Sequence, residues 1–116
     1  MIITLRFDEH GNELLLTGRL FDSPAGRELY QSLPQEIHLK KWGNELYGAI
    51  RSELPPGHLQ TEIPEGGIAY TNQGNYLCIF YGQRPAWPVN YIGQILGDSW
   101  KELLEKNPEY LFLQSR

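Results

Sequence analysis

Residues Ile2–Phe7 divide with period two, placing Ile3, Leu5 and Phe7 on one face and Ile2, Thr4 and Arg6 on the other. That alternation predicts a half-buried strand. The polar cluster Asp8-Glu9-His10-Gly11-Asn12 predicts a turn, after which the leucine-rich run Glu13–Leu20 resumes as a second strand of a meander. The pattern then changes. In Phe21–Pro34, Ala25, Leu29, Tyr30 and Leu33 make an apolar stripe at helical spacing. Ser23 or Asp22 can cap the exposed N–H groups, Pro24 suits the first helical position, and Pro34 ends the run. Ile37–Trp42 and Glu45–Arg51 are strand-like again, and Gly43-Asn44 between them favours a tight hairpin. Ser52–Pro64 carries Pro55, Pro56, Gly57 and Pro64 and reads as a surface excursion, with a short edge strand at Gln60–Ile63.

The stretch Glu65–Asn90 is the most distinctive. Ile68–Thr71 and Tyr76–Tyr81 predict two strands joined by Asn72-Gln73-Gly74-Asn75. The second strand is apolar or aromatic at every position, so neither face is written for open water. One face can enter a core, and the other needs a covering element or a ligand. The loop Gly82–Asn90 follows, with Arg84, Pro85, Trp87 and Pro88 at one end of the hairpin. Asn90–Leu96 predicts a further strand, broken at Gly93 where a bend or bulge would fit. Asp98–Lys106 predicts a short capped helix with Trp100, Leu103 and Leu104 inward, and Tyr110–Gln114 a last strand able to pair with the first. About eight strands, one main helix and one short helix result. Many short strands with regular turns favour a mainly β fold, closed into a barrel that removes its edges.

Composition narrows the partners. A chain of 116 residues fits one domain, 1–116, with a single core. The formal net charge of −4, with Lys40-Lys41 the one adjacent basic pair, argues against nucleic acid. Cys78 is the sole cysteine, so no intrachain disulfide can form; inside an apolar strand it reads as a small hydrophobe. The N-terminus MIITLRFDEH lacks a signal-peptide layout, and no apolar run nears the roughly 20 residues that cross a bilayer. A soluble, cytoplasmic protein without a membrane partner is expected. His10, His38 and His58 lie in different segments, and no metal-ligand spacing, nucleophile elbow, P-loop or dinucleotide fingerprint occurs. No metal and no cofactor are therefore assigned.

The order of several signposts resembles the small prokaryotic cyclophilin-like domain proteins, a family mostly of unassigned function. They are Asp22-Ser23-Pro24-Ala25 and Leu33-Pro34 around the helix, then Trp42-Gly43-Asn44-Glu45-Leu46-Tyr47. Gly67-Ile68-Ala69-Tyr70, Gly74 through Gly82, Pro85, Pro88-Val89-Asn90 and Ile92-Gly93 follow, so the resemblance spans Phe21 to Gly93. It implies an eight-stranded cyclophilin-like barrel closed by helices. Cyclophilins that isomerise X–Pro bonds carry a Phe-His-Arg on the strand after the first helix, the arginine acting as donor to the twisting amide. Here that region reads His38-Leu39-Lys40-Lys41-Trp42. The barrier is near ~20 kcal/mol, and lowering it takes an apolar pocket plus an aimed donor.

Candidate site residues cluster around the hairpin and its loop. Trp42, Phe80, Tyr81 and Trp87 could line a groove for a proline ring or another flat ligand; the alternative is that they fill the barrel or seal its ends. Tyr47, Tyr70 and Tyr76 offer hydroxyls that need partners if buried. Glu45 is the first-ranked carboxylate, against an alternative surface pairing with Lys41 or Arg51. Arg84 could anchor a carboxylate or peptide carbonyl, or remain solvated. The reading is a binding module for a small molecule or an extended, proline-containing peptide. A weak peptidyl-prolyl isomerase with Arg84 or Arg51 as donor is the rival, and a homodimer burying the groove is a third alternative.

Overall fold

The alternation at the N-terminus builds the first hairpin. In a computed structural model describing residues 1–116, β1 (Ile2–Glu9) and β2 (Asn12–Leu20) pair antiparallel from Ile2↔Arg19 to Glu9↔Asn12. Ile3, Leu5 and Phe7 point inward and are fully buried. Burying a side chain of that size stabilises by about 1.5–3 kcal/mol. The last strand, Tyr110–Ser115, covers the free edge of β1, as its pattern predicted.

Helix α1 (Pro24–Gln31) starts where the sequence places it. The Ser23 Oγ accepts a hydrogen bond from the Gly26 N–H at 3.1 Å, with Pro24 in the first turn. Ala25 and Leu29 are buried against the core, and Ser32 closes the last turn through its backbone N–H and its hydroxyl. The second helix is a 3-10 segment, Ser99–Glu105, which buries Leu103 and leaves Leu104 exposed, with Trp100 packed at the core edge. No helix is long and apolar enough to cross a membrane.

The remaining strands are β3 (Gln35–His38), β4 (Lys40–Lys41), β5 (Glu45–Ala49), β6 (Leu59–Gln60), β7 (Gly67–Thr71), β8 (Tyr76–Phe80) and β9 (Val89–Ile95), with Tyr110–Ser115 as β10. They form one ten-stranded sheet in the order β3-β10-β1-β2-β9-β7-β8-β5-β4, with β6 added to β9. The two strands beyond eight are the two-residue β4 and β6. Ile37–Trp42, expected as one strand, is divided at Leu39, whose N–H donates to the Glu109 carbonyl at 2.8 Å. Residues before Leu39 therefore pair with β10 and those after it with β5. At Gly93 the expected irregularity is a register shift between β7 and β9: Ile68 faces Gly93 while Ala69 faces Tyr91.

The expectation of a closed barrel needs correction. The two ends of the strand order, β3 and β4, are joined by Leu39, so the sheet rolls round upon itself. No backbone ladder links β3 to β5 across the seam. Side chains bridge the region instead. The Gln35 Oε1 accepts from the Arg51 N–H at 3.2 Å, and the Arg51 guanidinium donates to the Ser32 and Pro34 carbonyls. Close approach depends on Gly48. A Cβ there would lie 2.3 Å from the His38 carbonyl oxygen and 2.5 Å from the Ile37 Cγ2.

Within the roll sits a core of 22 buried residues; a second cluster of Ala69, Cys78, Phe80 and Val89 lies on the other side of β7, β8 and β9. Gly48→Ala is expected to cost about 2 kcal/mol, the range of an overpacked interior, read as a lowered urea midpoint with an unchanged slope. A loss within experimental error would mean that the seam opens at no cost.

Candidate functional site

Strand β8 has an apolar side chain at every position, and the pleat sends alternate ones to opposite faces. Leu77 and Ile79 enter the main core, joined by Tyr81 just beyond the strand; Tyr76, Cys78 and Phe80 face the other way. Register then assembles the outer face in rows. Glu45 and Gly67 flank Phe80, Tyr47 and Ala69 flank Cys78, and Thr71 lies beside Tyr76. This face is not open sheet. The loop after β8 folds back over it and leaves a cavity of about 250 Å³, walled by Trp42, Tyr47, Tyr76, Phe80, Pro85 and Trp87 among others.

Two attachments hold the loop in place. Gly43-Asn44 makes the tight hairpin turn, with Trp42 and Glu45 exchanging backbone hydrogen bonds at 2.9 and 3.1 Å. The Asn44 N–H then donates to the Gln83 Oε1 at 2.7 Å, tying the loop to that turn. Farther along, the Trp87 Nε1–H donates to the Thr71 Oγ1 at 2.9 Å. Trp42 and Trp87 form the rim, 52% and 40% exposed.

Glu45 is the only ionised type among the residues lining the cavity, and it is 8% exposed. Desolvation pushes its pKa up to about 7, offset only in part by the Cys78 thiol and the Gln83 amide. Neither surface partner considered from the sequence reaches it. Lys41 donates to Asn107 and the Lys106 carbonyl, and Arg51 is committed at the seam. Burial first, and the Glu45 carboxylate second, push the Cys78 thiol up, so the thiolate is strongly disfavoured. The same two causes raise Tyr81 to about 12.

Of the nine residues singled out in the sequence, Trp42, Glu45, Tyr47, Tyr76, Phe80 and Trp87 meet around this cavity. The other three do not. Tyr81 is fully buried in the main core, with its hydroxyl unpartnered. Tyr70 also points inward; its hydroxyl donates to Asn75 and accepts from the Leu54 N–H, a hairpin-bracing role. Arg84 lies on the surface, paired with Glu62. Sequence reasoning missed Thr71, Cys78 and Gln83 as site residues. Strand parity could have found Cys78, which shares the face of Phe80 two residues on, and the same parity separates Phe80 from Tyr81. No group of three or more His, Cys, Asp or Glu is arranged to hold a metal ion.

Comparison with known proteins reports on the frame of this site. Residues 1–110 match the model of the family described as cyclophilin-like. Among solved structures, the chain is similar to the hypothetical protein AF2241 from Archaeoglobus fulgidus, at 24% identity and a TM-score of 0.69, covering 100% of this chain and 95% of that one. It is also similar to McbB, solved in complex with tryptophan, at 17% identity and a TM-score of 0.77, covering 98% of this chain and 44% of McbB. At these identities the likeness is one of fold. No curated protein matches the chain.

The raised Glu45 pKa makes stability fall with pH. Between the unfolded value near 4.5 and about 7, the folded state holds a proton that the unfolded state has released, so folding weakens across that window. Glu45→Gln removes the penalty. The variant should exceed the wild type in stability by about 2–3 kcal/mol above neutrality, with the two converging near the acid end of the window, as read by thermal melts across pH. Parallel pH profiles would show that Glu45 is not desolvated.

Proposed function

The chain belongs to the cyclophilin-like family, and from that premise we propose that it binds a small, largely apolar, ring-bearing molecule in the cavity beneath the Gly82–Pro88 loop. The observation that carries this reading is an aromatic-walled cavity containing one buried polar anchor, Glu45. Small-molecule sites combine apolar walls with a few placed polar groups in this way. Filling the cavity would withdraw the half-exposed rings of Trp42 and Trp87 from water, and that burial supplies the affinity.

Size favours a compact ligand over an extended peptide. A chain of β geometry advances about 3.3 Å per residue and needs an open-ended groove. Here the Trp87–Thr71 hydrogen bond bars one side and Trp42 stands at the rim. McbB, of the same fold, has been solved holding tryptophan, which makes indole and tryptophan reasonable first probes for a cavity walled by rings. A prolyl isomerase would need a donor aimed into the pocket. Arg51 and Arg84, the arginines considered for that part, make their hydrogen bonds elsewhere.

Calorimetric titration with indole should give saturable binding to the wild type. Trp87→Ala should weaken it at least about tenfold, equivalent to some 1.4 kcal/mol, with thermal melts confirming that the variant is folded. Absence of binding by indole and tryptophan, or identical affinity in the variant, would count against this pocket as the site.

A further inference from the structure

The cavity's chemistry is lopsided. Five aromatic residues, Trp42, Tyr47, Tyr76, Phe80 and Trp87, surround one carboxylate, and no lysine, arginine or histidine joins them. An ionised carboxylate withdrawn from water needs a partner of opposite charge or a proton. The protein supplies no such partner. Lys41, Arg51 and Arg84 each make their hydrogen bonds away from the cavity. Aromatic walls, in turn, attract cations through the negative faces of their rings, most strongly for tryptophan. Both features select the same chemical class.

We propose that the ligand of this cavity is an organic cation, a primary ammonium borne on an apolar or aromatic body, with the ammonium paired to Glu45 and the body held among the rings. The proposal rests on the reading of the cavity as a small-molecule site and specifies its substrate class. The ammonium takes the place that a proton takes in the unliganded protein. Glu45 is protonated at acid pH and ionised above about 7, so cation binding releases a proton from Glu45 below neutrality and none above it. The other titratable groups that the charge of Glu45 influences are the Cys78 thiol on the same face and the Tyr81 phenol in the core behind it, both shifted upward, with Tyr47 and Tyr76 in the cavity wall. The shifted pair stay neutral through the range in which Glu45 titrates. Glu45 therefore sets the pH response.

The test is a matched pair of probes, phenethylamine and the neutral 2-phenylethanol, titrated calorimetrically into wild type and Glu45→Gln at about pH 8.5 and about pH 5.5, where an alkyl ammonium keeps its proton. The amine should bind the wild type at least about tenfold more tightly than the alcohol at the higher pH. That preference should shrink toward the lower pH and vanish in Glu45→Gln at both. The alcohol's affinity for each protein is the reference against which the amine's is read, and thermal melts confirm that the variant is folded. Equal affinities for amine and alcohol in the wild type, or a preference that survives Glu45→Gln, would overturn the cation assignment while leaving a small-molecule site intact. Failure of the amine to bind would remove the cation assignment; if the alcohol and indole also failed, the site itself would go with it.

Discussion

Everything at the candidate site follows from a strand that has no polar face. β8 carries Leu77 and Ile79 inward, with Tyr81 following them, and Tyr76, Cys78 and Phe80 outward, so water is excluded from one side by the core and must be excluded from the other by something added. A sheet strand with apolar residues on both faces is stable only when both are covered. The chain meets that demand by returning the segment after β8 across the outer face. It covers part of the surface and leaves the cavity over the rest.

The return is directed by a few polar contacts at its ends. Gly82 holds a φ of 146°, and a Cβ there would crowd Asn44 to 2.7 Å, so the chain can turn this closely past the hairpin only without a side chain. Gln83 then fastens the loop to the Asn44 N–H and Trp87 fastens it to Thr71. These bonds join the loop to the turn before β5 and to β7, on either side of β8, which makes the cavity wall an extension of the sheet.

Glu45 is the cost of this arrangement and the source of its chemistry. At the start of β5, opposite Phe80, it is caught on the covered face with no cation in reach. Desolvation raises its affinity for a proton and weakens folding at the pH where it must ionise. A structural ion pair would have removed that penalty. Its absence leaves the carboxylate to interact with whatever enters the cavity.

Much of this was written in the lettering of the chain. Period-two alternation located β1, a leucine-rich run after a polar turn located β2, apolar runs on either side of Asn72–Asn75 located β7 and β8, Ser23-Pro24 located the start of α1, and Gly43-Asn44 located the turn that brings Trp42 beside Glu45, because each signal is local: pleat, cap and turn geometry need only near neighbours. The unbroken apolar run of β8 also announced that its second face required a cover. What lay beyond local reading was which partners meet across the fold. Phe80 and Tyr81 are adjacent and equally aromatic, yet the sheet's orientation puts one in the cavity wall and the other in the core. Arg84 and Trp87 share a loop, yet Glu62 holds the first outside while Thr71 draws the second over the cavity. The split at Leu39 and the seam at Gly48, where the roll ends without a ladder, depend on β10 and β5 approaching from distant sequence. Pairings between remote segments are set by how the whole sheet curls, and no stretch of residues carries that information alone.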